Sequence, residues 1–135
     1  MFLGQIQNYL VPAGEANTVI PIRTISNTND KIVNRRGMIY FPQNGKFDVD
    51  ATISVSATES QNVTVSIYAE DSARDSVVAT IPAPPDGETV GVANVSLVDA
   101  INVVLTKYRN LANIYIAVDQ SDVTVNGYVR IEYVR

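Results

Sequence analysis

Asp48 and Asp50 stand two residues apart in Lys46-Phe47-Asp48-Val49-Asp50-Ala51. Two carboxylates at that spacing share one face of an extended strand, where they could give oxygens to a hard cation or act as paired acid and base. The simpler reading is that both face water, because burying unpartnered carboxylates is costly. Asp71-Ser72-Ala73-Arg74-Asp75 and Asp119-Gln120-Ser121-Asp122 are the other acidic runs. Neither has the Asp-x-Asp-x-Asp-Gly order of an EF-hand loop, whereas Asp and Ser are favoured in hairpin turns. Turns are expected at both.

The sequence contains no histidine and no cysteine. That removes the commonest general base, the commonest metal ligand, thiolate nucleophiles and disulfides together. Serines are present, but a Ser-His-Asp relay cannot be built. A Ser-Lys variant has only Lys31, Lys46 and Lys107 to draw on, none in a nucleophile setting. Gly87 and Gly91 fall in a loop and a strand with no helix after them, so no phosphate-cradling turn is expected. Catalytic, cofactor and metal residues are therefore expected to be none, and the chain is read as non-enzymatic.

Binding chemistry is better represented. Tyr68, Tyr115 and Tyr128 each fall opposite the main apolar row of their segments. Outward aromatics offer contact area with a polar tip, as interfaces and sugar-binding surfaces do, and these three are the candidate subunit interface. The alternative is ordinary cross-strand packing. Near the start, Phe2, Leu3, Ile6, Tyr9 and Leu10 form a small apolar group beside turn residues, the candidate docking arm; the alternative there is an extra edge strand.

The segments that must position these groups are strands. From Lys46 to Ala57, Phe47, Val49, Ala51, Ile53, Val55 and Ala57 alternate with Asp48, Asp50, Thr52, Ser54 and Ser56, a period-two pattern no helix gives. Asn62 to Ala69 repeats it, and the short link Thr58-Glu59-Ser60-Gln61 predicts an antiparallel hairpin between the two. Further strands are expected at Ser76–Ile81, Val90–Leu97, Ile101–Leu105, Asn113–Asp119 and Val123–Val134. Val98-Asp99-Ala100 reads as a turn, and the prolines of Pro82-Ala83-Pro84-Pro85-Asp86-Gly87 mark a loop. Gly127 lies on an apolar row and marks a bulge or a close backbone approach. Residues 1–36, with turns at Val11-Pro12-Ala13-Gly14 and Ser26-Asn27-Thr28-Asn29-Asp30, read as an arm or added edge strands before a domain over 37–135.

At 135 residues the chain has room for one domain that can build its own core. Its net charge of -4 argues against sequence-independent nucleic-acid binding, which rests on Lys and Arg neutralising phosphates. No apolar run approaches the ~20 residues of a membrane helix, so no membrane insertion is expected. Met1-Phe2-Leu3-Gly4-Gln5-Ile6 lacks a basic stretch and a long apolar core, so no signal peptide is expected and synthesis in the cytoplasm is.

The run Gly37-Met38-Ile39-Tyr40-Phe41-Pro42-Gln43-Asn44-Gly45-Lys46-Phe47-Asp48-Val49 resembles the start of a C1q/TNF-like jelly roll. In that family a short strand ends in a Pro- and Gly-containing turn before an aromatic-rich alternating strand. Val95-Ser96-Leu97-Val98-Asp99-Ala100-Ile101-Asn102-Val103 resembles its turn before a buried strand, with Val98-Asp99-Ala100 where Gly-Asp is usual. Tyr128-Val129-Arg130-Ile131-Glu132-Tyr133-Val134 resembles its closing strand. The resemblance covers about Gly37 to Arg135. It implies an antiparallel two-sheet sandwich of ten strands assembling as a homotrimer. Such domains occur in secreted animal proteins, usually with a signal peptide and often a collagen-like stem, and in tailed-phage virions. The expectation is therefore a virion protein of capsid-decoration, head-fibre or spike type, docked to the phage capsid or another virion protein through its N-terminal segment. The alternative is a receptor- or glycan-binding module at a tail tip or baseplate.

Overall fold

Alternation builds ten strands in the computed structural model, which describes residues 1–106 and 112–135. In chain order they are β1 (Phe2–Leu10), β2 (Arg23–Asn27), β3 (Val33–Arg35), β4 (Met38–Phe41), β5 (Gly45–Ala57), β6 (Gln61–Ala69), β7 (Ser72–Ile81), β8 (Gly91–Val103), β9 (Ala112–Val118) and β10 (Thr124–Tyr133). They form two five-stranded sheets, ordered β2-β1-β10-β5-β8 and β3-β4-β9-β6-β7, with every paired neighbour antiparallel. The first is the front sheet and the second the back sheet.

The two inward rows meet as one core, so the fold is a β-sandwich. In β5 the predicted row from Phe47 to Ala57 is buried throughout, with Asp48, Asp50 and Thr52 exposed on the other face. Phe41 of the back sheet meets Phe47 of the front sheet with ring centroids 4.5 Å apart, joining the layers at one end.

The expected β5–β6 hairpin is not formed. β5 pairs with β8 and β10, while β6 pairs with β7 and β9 in the other sheet. The link at Thr58 crosses between layers, because the apolar rows of both strands are buried only when they face each other. Genuine hairpins lie elsewhere. Glu70-Asp71 (φ +52° and +67°) joins β6 to β7, and Arg36-Gly37 (φ +54° and +90°) joins β3 to β4. Two central residues with positive φ match the twist of the flanking strands. At Gly37 a side chain is also excluded, since a Cβ would lie 2.6 Å from the Cα of Pro21.

Nor does Val98-Asp99-Ala100 turn. β8 runs unbroken alongside β5, and Asp99 is a charged member of its inward row between buried Leu97 and Ile101. It is tolerated because Arg74 of β7 reaches it across the sandwich edge, Nε to Oδ2 at 2.9 Å and Nη2 to Oδ1 at 3.3 Å. Arg74 also donates to the Ala100 carbonyl, and the Val98 amide donates to Asp75 Oδ2 at 3.0 Å. These bonds occupy backbone groups of β8 that an edge strand would leave open.

The N-terminal segment is part of the front sheet, which begins at Phe2 and not near Met38. β1 lies between β2 and β10, with Phe2 and Ile6 fully buried. Between Ile6 and Tyr9 the pairing with β10 slips by one residue around Asn8 (φ +46°), whose amide donates to Asn126 Oδ1. The bulge inverts the alternation beyond it: Tyr9 packs against the core, Leu10 is 58% exposed and Val11 is buried.

Candidate interaction surfaces

The three candidate interface tyrosines do not form one patch. Tyr68 of β6 and Tyr115 of β9 are direct cross-strand partners on the outer face of the back sheet, their rings stacked at 5.2 Å and 5° apart. Tyr115 is buried and its hydroxyl donates to Asp71 Oδ1 at 3.3 Å. Burial raises the Tyr115 pKa, and the Asp71 charge, the hydrogen bond to Asp71 and neighbouring Tyr68 raise it further. This pair is largely spent on the sheet's own packing. Tyr128 lies on the opposite side of the molecule, 51% exposed on the outer face of the front sheet.

The candidate arm residues divide in the same way. Phe2 and Ile6 are closed into the core, whereas Leu3 and Tyr9 are half-buried and Leu10 projects into solvent. What the segment offers a partner comes from a fixed strand.

The carboxylates are scattered. Asp48 and Asp50 are exposed on the front face, and Asp48 lies directly opposite Glu132 while Asp50 lies opposite Arg130. Arg130 Nη2 holds Glu132 Oε1 at 2.7 Å, a fully solvated pair whose bond raises the guanidinium pKa. Asp119 Oδ1 accepts the Thr64 amide, and Asp71 occupies the β6–β7 turn. Among the described residues no three His, Cys, Asp or Glu side chains gather closely enough to hold a metal ion. Lys31 Nζ donates to Gln43 Oε1 and lies 5.2 Å from the Tyr133 ring centroid; Lys107 lies outside the described residues.

Two surfaces stand out that the sequence did not single out. The first is the outer front face. Across β10, β5 and β8 charge gathers at one end, in the rows holding Asp48 with Glu132 and Asp50 with Arg130, while the next three rows, centred on Thr52, Ser54 and Ser56, are uncharged; farther along the Thr52 row, beyond Tyr128 and Gln5, lies Arg23 of β2. Tyr128, Val92 and Val98 stand exposed among or beside them. The second is a groove of about 580 Å3 where β1 and β2 meet the β3–β4 turn, lined by Gln5, Gln7, Tyr9, Arg23 and Thr24 over a floor that includes Pro21 and Ile22. Cross-strand register could have identified the first surface only after the strand order was known. The second joins β1 to residues 21–24, 34 and 37, a meeting set by strand pairing that no local pattern records.

No protein-family model matches the chain, and no curated protein matches it.

Proposed function

We propose that this chain is a non-enzymatic structural protein of a tailed-phage particle, a C1q/TNF-like jelly roll that assembles as a homotrimer on the virion surface. The observation that carries the reading is the strand order. Setting aside the edge strands β2 and β3, the remaining eight, renumbered in chain order, lie 1-8-3-6 in one sheet and 2-7-4-5 in the other. This double Greek-key interleaving is that of a jelly roll, and the two extra strands bring the count to the ten that the sequence resemblance implies.

The outer front face supports self-association. Interfaces are depleted of charge at their centres, and the three rows across β10, β5 and β8 are uncharged, with Tyr128 as their exposed aromatic. Capsid attachment by the N-terminal segment would use Leu3, Tyr9 and Leu10 presented from β1, since Phe2 and Ile6 are internal. Repetition by threefold symmetry gives avidity on a lattice from individually weak contacts.

Native mass measurement tests the assembly: a trimer is expected, and a monomer at high concentration overturns it. Co-sedimentation with particles lacking the protein tests the location, with saturable binding expected and its absence refuting a virion role. A second reading, a glycan-binding module at a tail tip or baseplate, is favoured by the polar, Tyr9-bearing groove.

A further inference from the structure

We infer that the groove between β1, β2 and the β3–β4 turn is a binding site for a carboxylate-bearing saccharide; the inference rests on the glycan-binding reading and gives it an address. The groove's chemistry is that of sugar recognition. Gln5, Gln7 and Thr24 present amides and a hydroxyl able to donate and accept, and Tyr9 supplies an aromatic surface with a polar tip. The bulge at Asn8 is what turns Tyr9 out of the strict alternation of β1 to a place between core and groove.

Charge selects the acidic sugar. The chain carries -4 overall, yet the residues lining the groove include no Asp or Glu and do include Arg23. Arg35 and Arg36 face a separate pocket with Val19, Met38 and Tyr40, so Arg23 is the charge that the groove itself presents. Arg23 Nη2 now donates to Gln5 Oε1 at 3.2 Å, a long bond to a neutral acceptor. A carboxylate would replace that acceptor with a shorter, charge-assisted bond, two-pronged where the geometry allows. Asn34 holds the walls in place, donating to the Ile22 carbonyl at 2.6 Å and to Thr24 Oγ1 at 3.0 Å and accepting the Gly37 amide.

The test is an array of neutral, carboxylated and sulfated glycans probed with the intact protein and with Arg23→Ala, whose exposed side chain leaves the fold undisturbed. The expected result is retention on carboxylated sugars, weakened at least about tenfold by Arg23→Ala and reduced by salt, at unchanged melting temperature. Gln7→Ala, also exposed, is expected to weaken the same sugars several-fold. Carboxylated sugars held equally by Arg23→Ala would overturn this site while leaving a glycan-binding role standing elsewhere on the molecule. Retention of neutral or sulfated sugars alone would overturn the carboxylate assignment, and retention of none would overturn the site and the glycan-binding reading together.

Discussion

At Tyr115 the environment favours the neutral phenol, chiefly through burial and then through the Asp71 carboxylate. Its folded pKa therefore lies above the unfolded value, so the unfolded chain loses this proton first as pH rises. The resulting stability is complete below about pH 10, the unfolded tyrosine value, and is lost as pH climbs through the folded one. Tyrosinate absorbance should show one late-titrating group that Tyr115→Phe removes, and the variant's alkaline loss of stability should be shallower. At Gly127 the constraint is steric. A Cβ there would lie 2.3 Å from the Thr52 carbonyl oxygen and 2.9 Å from Ile53 Cδ1, so β5 and β10 would have to separate. Gly127→Ala should cost about 1–3 kcal/mol, read from urea unfolding at unchanged slope.

The strands set what any segment can do, and β1 is the sharpest case. Phe2 is fully buried in a strand flanked on both sides, so Phe2→Ala should cost about 3–5 kcal/mol, whereas Leu10→Ser at an exposed position should stay within about 0.5 kcal/mol. Thermal unfolding of the two variants separates an integral strand from a free arm, for which both would be silent. β5 and β6 were legible in the sequence because each buries chiefly one face, and burial writes itself as alternation; β9, buried on both faces, was legible by its apolar Ile114, Ile116 and Val118 row. β1 was less so because Leu3 is apolar on the outer face, Gly4 takes an inward position, and the bulge reverses the phase beyond Ile6. Asp99 resembled a turn residue because its partner Arg74 is 25 positions away, and no local pattern records such a pairing. The same holds for the link after Ala57: Thr58-Glu59-Ser60 signals a reversal but not the layer in which the next strand lands. Of the candidate sites, the outward orientation of Tyr68, Tyr115 and Tyr128 could be read locally, but their division between opposite faces required the strand order.

Over the whole molecule the two faces differ in kind. The outer back face is occupied by its own contacts, the Tyr68–Tyr115 stack and the Ser66–Ser76 hydroxyl pair at 2.7 Å. One lateral side is tied by Arg74 and Asp75 across β7 and β8. The outer front face, by contrast, keeps three uncharged rows across β10, β5 and β8, with Tyr128 half exposed among them. If copies associate there, a charge at the centre of those rows must be desolvated without a partner, at a cost of several kcal/mol per site. Thr52 is exposed midway between Tyr128 and Ser96, so Thr52→Arg leaves the monomer's core untouched. The variant should be a folded monomer by sedimentation, with the wild-type circular dichroism spectrum, under conditions where the parent is a trimer. Arg130→Glu, at the already charged end of the same face, should leave the assembly intact. An oligomer indifferent to Thr52→Arg would mean that the copies meet through another surface.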